Sequence, residues 1–73
     1  SFDKNLEKIG QTLRVLFDRK EGEHFVGRTE FDSPEVDNEV LVNAKDNYVR
    51  IGDFANVKIT KAEEYDLFGD LVK

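Results

Sequence analysis

Cysteine and methionine are absent from this 73-residue chain, and histidine and proline occur once each, as His24 and Pro34. No apolar run approaches the length of a bilayer span. Without cysteine or an obvious cluster of metal-ligating residues, neither a disulfide nor a zinc ion can staple the fold. Stability must come from apolar burial, near the lower size limit for one unaided core. That favours a closed sheet with few unpaired edges. The absence of a signal peptide or spanning segment makes a soluble domain with no membrane partner the expectation. Because the chain begins at Ser1 and contains no Met, an excised domain is expected rather than a complete gene product.

The same scarcity excludes most chemistry. His24 stands at the start of a strand pattern with no nucleophile in view and reads as a polar edge residue. The two serines are Ser1, at the terminus, and Ser33, before Pro34, and neither lies in a nucleophile-elbow context. There is no GxxxxGK or GxGxxG run, hence no phosphate cradle. An EF-hand loop starting at Asp32 needs glycine where Asp37 stands and a bidentate acid where Asn43 stands. Carboxylate-pair catalysis needs one buried acid with a raised pKa, which a polar, solvated loop does not provide. The expectation is a chain with no catalytic residue, no metal and no cofactor of its own.

What the chain does contain is acid, unevenly placed. The formal charge is −5, yet residues 21–39 carry seven acids against Arg28 alone, a local −6. Residues 1–20 and 40–61 are each net +2, and residues 62–73 are net −3. Nucleic-acid affinity comes largely from Lys and Arg displacing counterions, the opposite sign. A basic protein partner is therefore favoured over RNA, and a purely solubilising role for the acids is the bland alternative.

Along the chain, Phe2, Leu6 and Ile9 have helical spacing, so residues 1–9 read as a linker or the tail of a short helix. Gly10 ends that pattern. Leu13, Val15 and Phe17 alternate with Thr12, Arg14 and Asp18, and Leu16 on the polar face suggests a bulge or a doubly covered strand. Arg19 to Glu23 reads as a turn, with Gly22 free to take positive φ. His24 to Phe31 reads as a second strand in which Gly27 marks a bulge or barrel corner. Pro34 stops it by Asp32. Further strands are expected at Glu39–Ala44, briefly at Tyr48–Ile51, at Phe54–Ala62 and at Tyr65–Val72, where Tyr65, Leu67 and Leu71 are in phase. Strands every ten or so residues, with turn signals between them, are the pattern of a small all-β barrel. Most of Phe31, Tyr48, Phe54 and Phe68 are expected inside it, since so small a barrel needs its aromatics as core.

The runs GQTLRVLFD, HFVGRTEFDSPEVD, VRIGDFANVKIT and EYDLFGDLV resemble the TRAM domain at the C-terminus of radical-SAM methylthiotransferases. RTEFDSPEVDNEVLV is similar to the RimO-type branch, which modifies an aspartate of a small-subunit ribosomal protein. The resemblance implies a five-stranded antiparallel OB-like barrel over residues 10–73, with residues 1–9 linking it to an upstream radical-SAM domain. It also implies a cytoplasmic parent enzyme using S-adenosylmethionine and two 4Fe–4S clusters, held upstream because this chain has no thiolate ligand. The expected role is non-catalytic recognition, by a monomer, of a basic small-subunit ribosomal protein through Arg28, Glu30, Asp32, Glu35, Asp37 and Glu39. Arg28 is expected to pair locally with Glu30 or Asp32 and fix the loop. The alternative is a transfer-RNA-binding TRAM domain using Arg14, Arg19, Lys20, Lys58 and Lys61. A third possibility is a cap that only packs on the catalytic domain.

Overall fold

Five strands close into a barrel in the computed structural model, which describes residues 5–29 and 38–72. They are β1 (Thr12–Glu21), β2 (His24–Thr29), β3 (Glu39–Asn43), β4 (Phe54–Ala62) and β5 (Asp66–Leu71). Around the barrel the order is β1-β2-β3-β5-β4, and β4 pairs back onto β1. All neighbours are antiparallel except β3 and β5, which run parallel, so the barrel is mixed rather than wholly antiparallel. The chain reaches β5 through the β4 hairpin and enters the gap beside β3 in the same sense as β3. Local alternation carries no information about that pairing.

The inward positions follow the two-residue period of each strand. Val15 and Phe17 of β1, Val40 and Val42 of β3, Val57 and Ile59 of β4 and Leu67 of β5 are essentially inaccessible, with Phe25 and Ala62 beside them. Each such side chain contributes about 1.5–3 kcal/mol through burial. Gly22 takes φ 58° at the first position of the two-residue β1–β2 connection, where a II′ hairpin turn requires glycine.

Two register shifts bend the strands round. In β1 the step lies between Phe17 and Arg19, leaving Asp18 as the extra residue; in β4 it lies between Ile59 and Lys61, leaving Thr60. Each shift sits beside a glycine on the neighbouring strand, since Phe17 pairs with Gly27 and Ile59 with Gly69. A bulge increases local twist, and here a residue without a side chain lets the adjacent backbone come close.

Four expectations are corrected. Asn5 and Leu6 are helical and residues 7–10 continue as turns with i→i+3 bonds, among them Lys8 N–H to Asn5 O at 3.0 Å, so no helix of useful length is formed among the described residues. Phe2, the first of the residues suggesting helical spacing, lies outside the described residues. Tyr48–Ile51 is not a strand; Val49 is buried while Tyr48 and Ile51 project outward. Tyr65 precedes β5 and is exposed, so it is not in phase with Leu67. The aromatics expected inside are largely outside: Tyr48 is 76% and Phe54 46% exposed, and Phe68 is half-buried. Among the described residues Phe17 and Phe25 are the buried aromatics, and the other inward places are taken mainly by valine. Phe31 lies outside the described residues.

Candidate functional site

The ends of β2 and β3 define where the acid-bearing segment leaves and rejoins the barrel. Thr29 closes β2, and Asn38 leads into Glu39, the first residue of β3. Of the six candidate residues, Glu30, Asp32, Glu35 and Asp37 lie outside the described residues, as does any pairing of Arg28 with Glu30 or Asp32. Arg28 and Glu39 flank the last β2–β3 ladder pair, Gly27 with Val40. Arg28 is exposed and stands across from Leu16 of β1, which in turn pairs with Phe54 of β4.

Glu39 is half-buried and accepts a hydrogen bond from Arg19 Nη2 at 2.6 Å. Arg19 also donates from Nη1 to Asp18 at 3.2 Å and from Nε to Glu21. The bulge at Asp18 explains this hub. It re-aims the residue after it, so Arg19 reaches across β2 to the start of β3 instead of ending in a turn. Its hydrogen bonds to Glu39 and then Glu21 hold the guanidinium proton more tightly than usual. These pairs are substantially exposed, so solvent and salt screen each of them heavily.

Beside this hub, Asp66 of β5 is the parallel partner of Glu39. Burial, and then the charges of Glu39 and Glu63, push its carboxyl above the usual carboxylate range. The folded state therefore keeps a proton at pH values where the unfolded chain has released it. Ionised Asp66 thus costs stability, fully above its folded pKa and progressively less as pH falls through that value towards the ordinary one. Asp66→Asn should raise the melting temperature at pH 7, with the advantage shrinking in a thermal-melt series taken to acid pH. A constant advantage across the series would show that the gain is not electrostatic.

The basic side chains are largely committed within the domain. Lys61 pairs with Glu63 at 3.3 Å and lies 5.2 Å from the Phe68 ring centre, while the Arg14 guanidinium stacks 4.3 Å over Phe54. Lys20 lies 5.9 Å from the centre of the Phe25 ring. Among the described residues no three carboxylate or imidazole side chains converge as a metal site, and no helix is long and apolar enough to cross a membrane.

Sequence reasoning missed a second polar cluster at this end of the barrel. Asn5, wholly buried, donates from Nδ2 to the carbonyls of Glu63 at 2.7 Å and Glu64 at 3.0 Å, with a longer contact of 3.3 Å to Asn38 Oδ1. Asn38, 6% exposed, donates back to Asn5 Oδ1 at 2.7 Å. Asn5 lies in the stretch read as linker or helix tail and Asn38 at the end of the acidic stretch, and no periodic signal distinguishes either.

The TRAM domain family model matches residues 9–72. This chain is a TRAM domain. Its barrel is similar to a multidomain protein with nucleic acid binding domains from Streptococcus pneumoniae, with a TM-score of 0.69 over 90% of this chain and 23% of that one. At 14% identity that likeness concerns the fold alone. The TRAM domain is 71% identical over its whole length to ribosomal protein uS12 methylthiotransferase RimO of Cytophaga hutchinsonii, and covers 17% of that protein. It is 63% identical over 96% of its length to the protein of the same name from Flavobacterium psychrophilum, covering 16% of it. The TRAM domain thus spans about a sixth of the length of the curated relatives it matches.

Proposed function

We propose that this TRAM domain is the non-catalytic substrate-recognition part of a RimO-type methylthiotransferase, docking ribosomal protein uS12 through the acidic stretch from Arg28 to Glu39. The observation that carries this reading is identity of 71% over the whole chain to a protein named for that activity. The local charge of −6 over residues 21–39 supports it, because a cluster of one sign steers a basic polypeptide and orients it on arrival. Commitment of Arg19 and Lys61 to carboxylates of the domain itself weighs against a continuous basic track for RNA.

In this reading Arg28, Glu30, Asp32, Glu35, Asp37 and Glu39 form the docking surface, with Glu39 doubling as a strut to Arg19. The parent enzyme acts in the cytoplasm as a monomer, and its radical-SAM domain lies upstream. S-adenosylmethionine and two 4Fe–4S clusters belong there. A chain without cysteine offers no thiolate to a cluster, so no step of the chemistry passes through these residues.

A side-by-side titration with uS12 and a transfer-RNA anticodon stem-loop tests the reading. Amide shifts with uS12 should centre on residues 28–39, and affinity should fall as salt rises past the point where the Debye length is about 10 Å. The stem-loop should bind more weakly at every salt concentration. Retention of the stem-loop through Arg14, Lys58 and Lys61, with no uS12 binding, would replace this reading with the RNA-binding one.

A further inference from the structure

The buried Asn5–Asn38 pair joins three pieces of chain that are distant in sequence. Asn5 belongs to the segment leading into β1, Asn38 to the point where the chain returns from the acid-bearing stretch to β3, and Glu63 and Glu64 to the β4–β5 connection. Backbone bonds reinforce the junction: Glu39 N–H donates to Tyr65 O at 3.2 Å and Glu63 N–H to Asp66 O at 2.8 Å. A pure filler at position 5 would be apolar, because burying an amide is favourable only when its donors and acceptor are all met. Here they are met: the amide nitrogen has two close carbonyls, and the amide oxygen has the Asn38 donor.

We propose that the Asn5–Asn38 pair is a positioning clasp. It fastens the point where the docking stretch rejoins the barrel to the chain arriving from upstream, so that a substrate held there is registered against the upstream region. Asn5 and Asn38 are positioning residues that act through Glu39 and the start of β3. This deepens the docking reading of residues 28–39, and its consequence for substrate affinity rests on that reading.

The test uses the full 73-residue chain with Asn38→Ala, the gentler variant because it leaves Asn5 its two carbonyls, alongside Asn5→Ala. Leu71→Ala serves as a control, since Leu71 packs on the core at the far end of β5. Hydrogen exchange at the Glu39 and Val40 amides should speed up in the clasp variants while Val15 and Val57 stay protected. Affinity for uS12 should fall about tenfold, equivalent to about 1.4 kcal/mol. Leu71→Ala should lower the melting temperature without either change. Unaltered exchange at Glu39 and Val40 would overturn the clasp, whether or not uS12 binds. Faster exchange with unaltered uS12 affinity would overturn its role in recognition. If the unaltered chain fails to bind uS12, the docking reading falls, and local exchange at Glu39 and Val40 alone decides whether the clasp holds this junction.

Discussion

Gly69→Ala is expected to bring the domain to the edge of unfolding, and Gly27→Ala to do nearly the same. A Cβ at Gly69 would stand 2.8 Å from Val57 Cγ1 and closer still to the Lys58 carbonyl oxygen. At Gly27 it would stand 2.7 Å from Val15 Cγ1 and closer to the Leu16 carbonyl oxygen. Side chains can turn away from a methyl group, but a carbonyl in a strand ladder moves only if the strands separate. Overpacking of an ordinary core site costs about 1–3 kcal/mol, and an immovable backbone obstacle puts these two at the top of that range or beyond it. Total stability in a domain this small is on the order of 5 kcal/mol, so the loss is a large share of the whole. Gly22→Ala is the control, because its added carbon meets nothing within 4 Å and carries only the strain of φ 58°. Thermal melts followed by circular dichroism should rank Gly69→Ala and Gly27→Ala well below Gly22→Ala. Wild-type melting of Gly69→Ala would mean that β4 and β5 can part at the Thr60 bulge without loss, and that the closeness of the strands there does not matter.

The strands that could be read from sequence were those whose inward side chains recur every second residue, as Val15–Phe17 and Val57–Ile59 do. Gly27 was legible as a place where the sheet bends, since a glycine interrupts a strand pattern only where something needs its space, but the extra residue lies across the ladder at Asp18 of β1 and not in β2. Phe54 and Phe68 were misjudged by composition although parity placed them correctly: Phe54 shares its face with Lys58, and Phe68 is out of phase with Leu67. Size argued for the core and alternation argued for the surface, and alternation won because Arg14 and Lys61 cover the exposed rings.

Other features depend on relations between strands, which no local pattern encodes. The parallel pairing of β3 with β5 sets Asp66 beside Glu39, whose charge adds to the effect of burial in raising the Asp66 pKa, but the two are 27 positions apart. Arg19 looked like a turn residue, or a phosphate contact, because nothing before folding says that the Asp18 bulge aims it at Glu39. The candidate site was therefore legible as a concentration of charge, while the partners of that charge were not.

Asn5→Asp should be the most damaging isosteric change in the chain, and its effect should depend on pH. The amide nitrogen of Asn5 faces the Glu63 and Glu64 carbonyls at 2.7 and 3.0 Å, so position 5 needs a donor there. An ionised carboxylate has none, and it would place negative charge against two carbonyl oxygens in a site with no exposure. Leaving a buried charge unpaired costs about 3–5 kcal/mol, which at pH 7 removes most of a stability on the order of 5 kcal/mol. Burial and the facing carbonyls would raise the pKa of the new carboxyl in the folded state above its unfolded value. The penalty is then full above the folded pKa and falls away as pH drops through it towards about 3.9. Once protonated, the carboxyl regains one O–H donor, leaving a residual deficit of about 1 kcal/mol for the lost second hydrogen. Urea melts of Asn5→Asp and the unaltered chain, paired at each pH, should show a gap that is widest at neutral pH and narrows on acidification. A gap independent of pH would place residue 5 in contact with water, and Asn5 would then contribute shape and not hydrogen bonding to the end of the barrel.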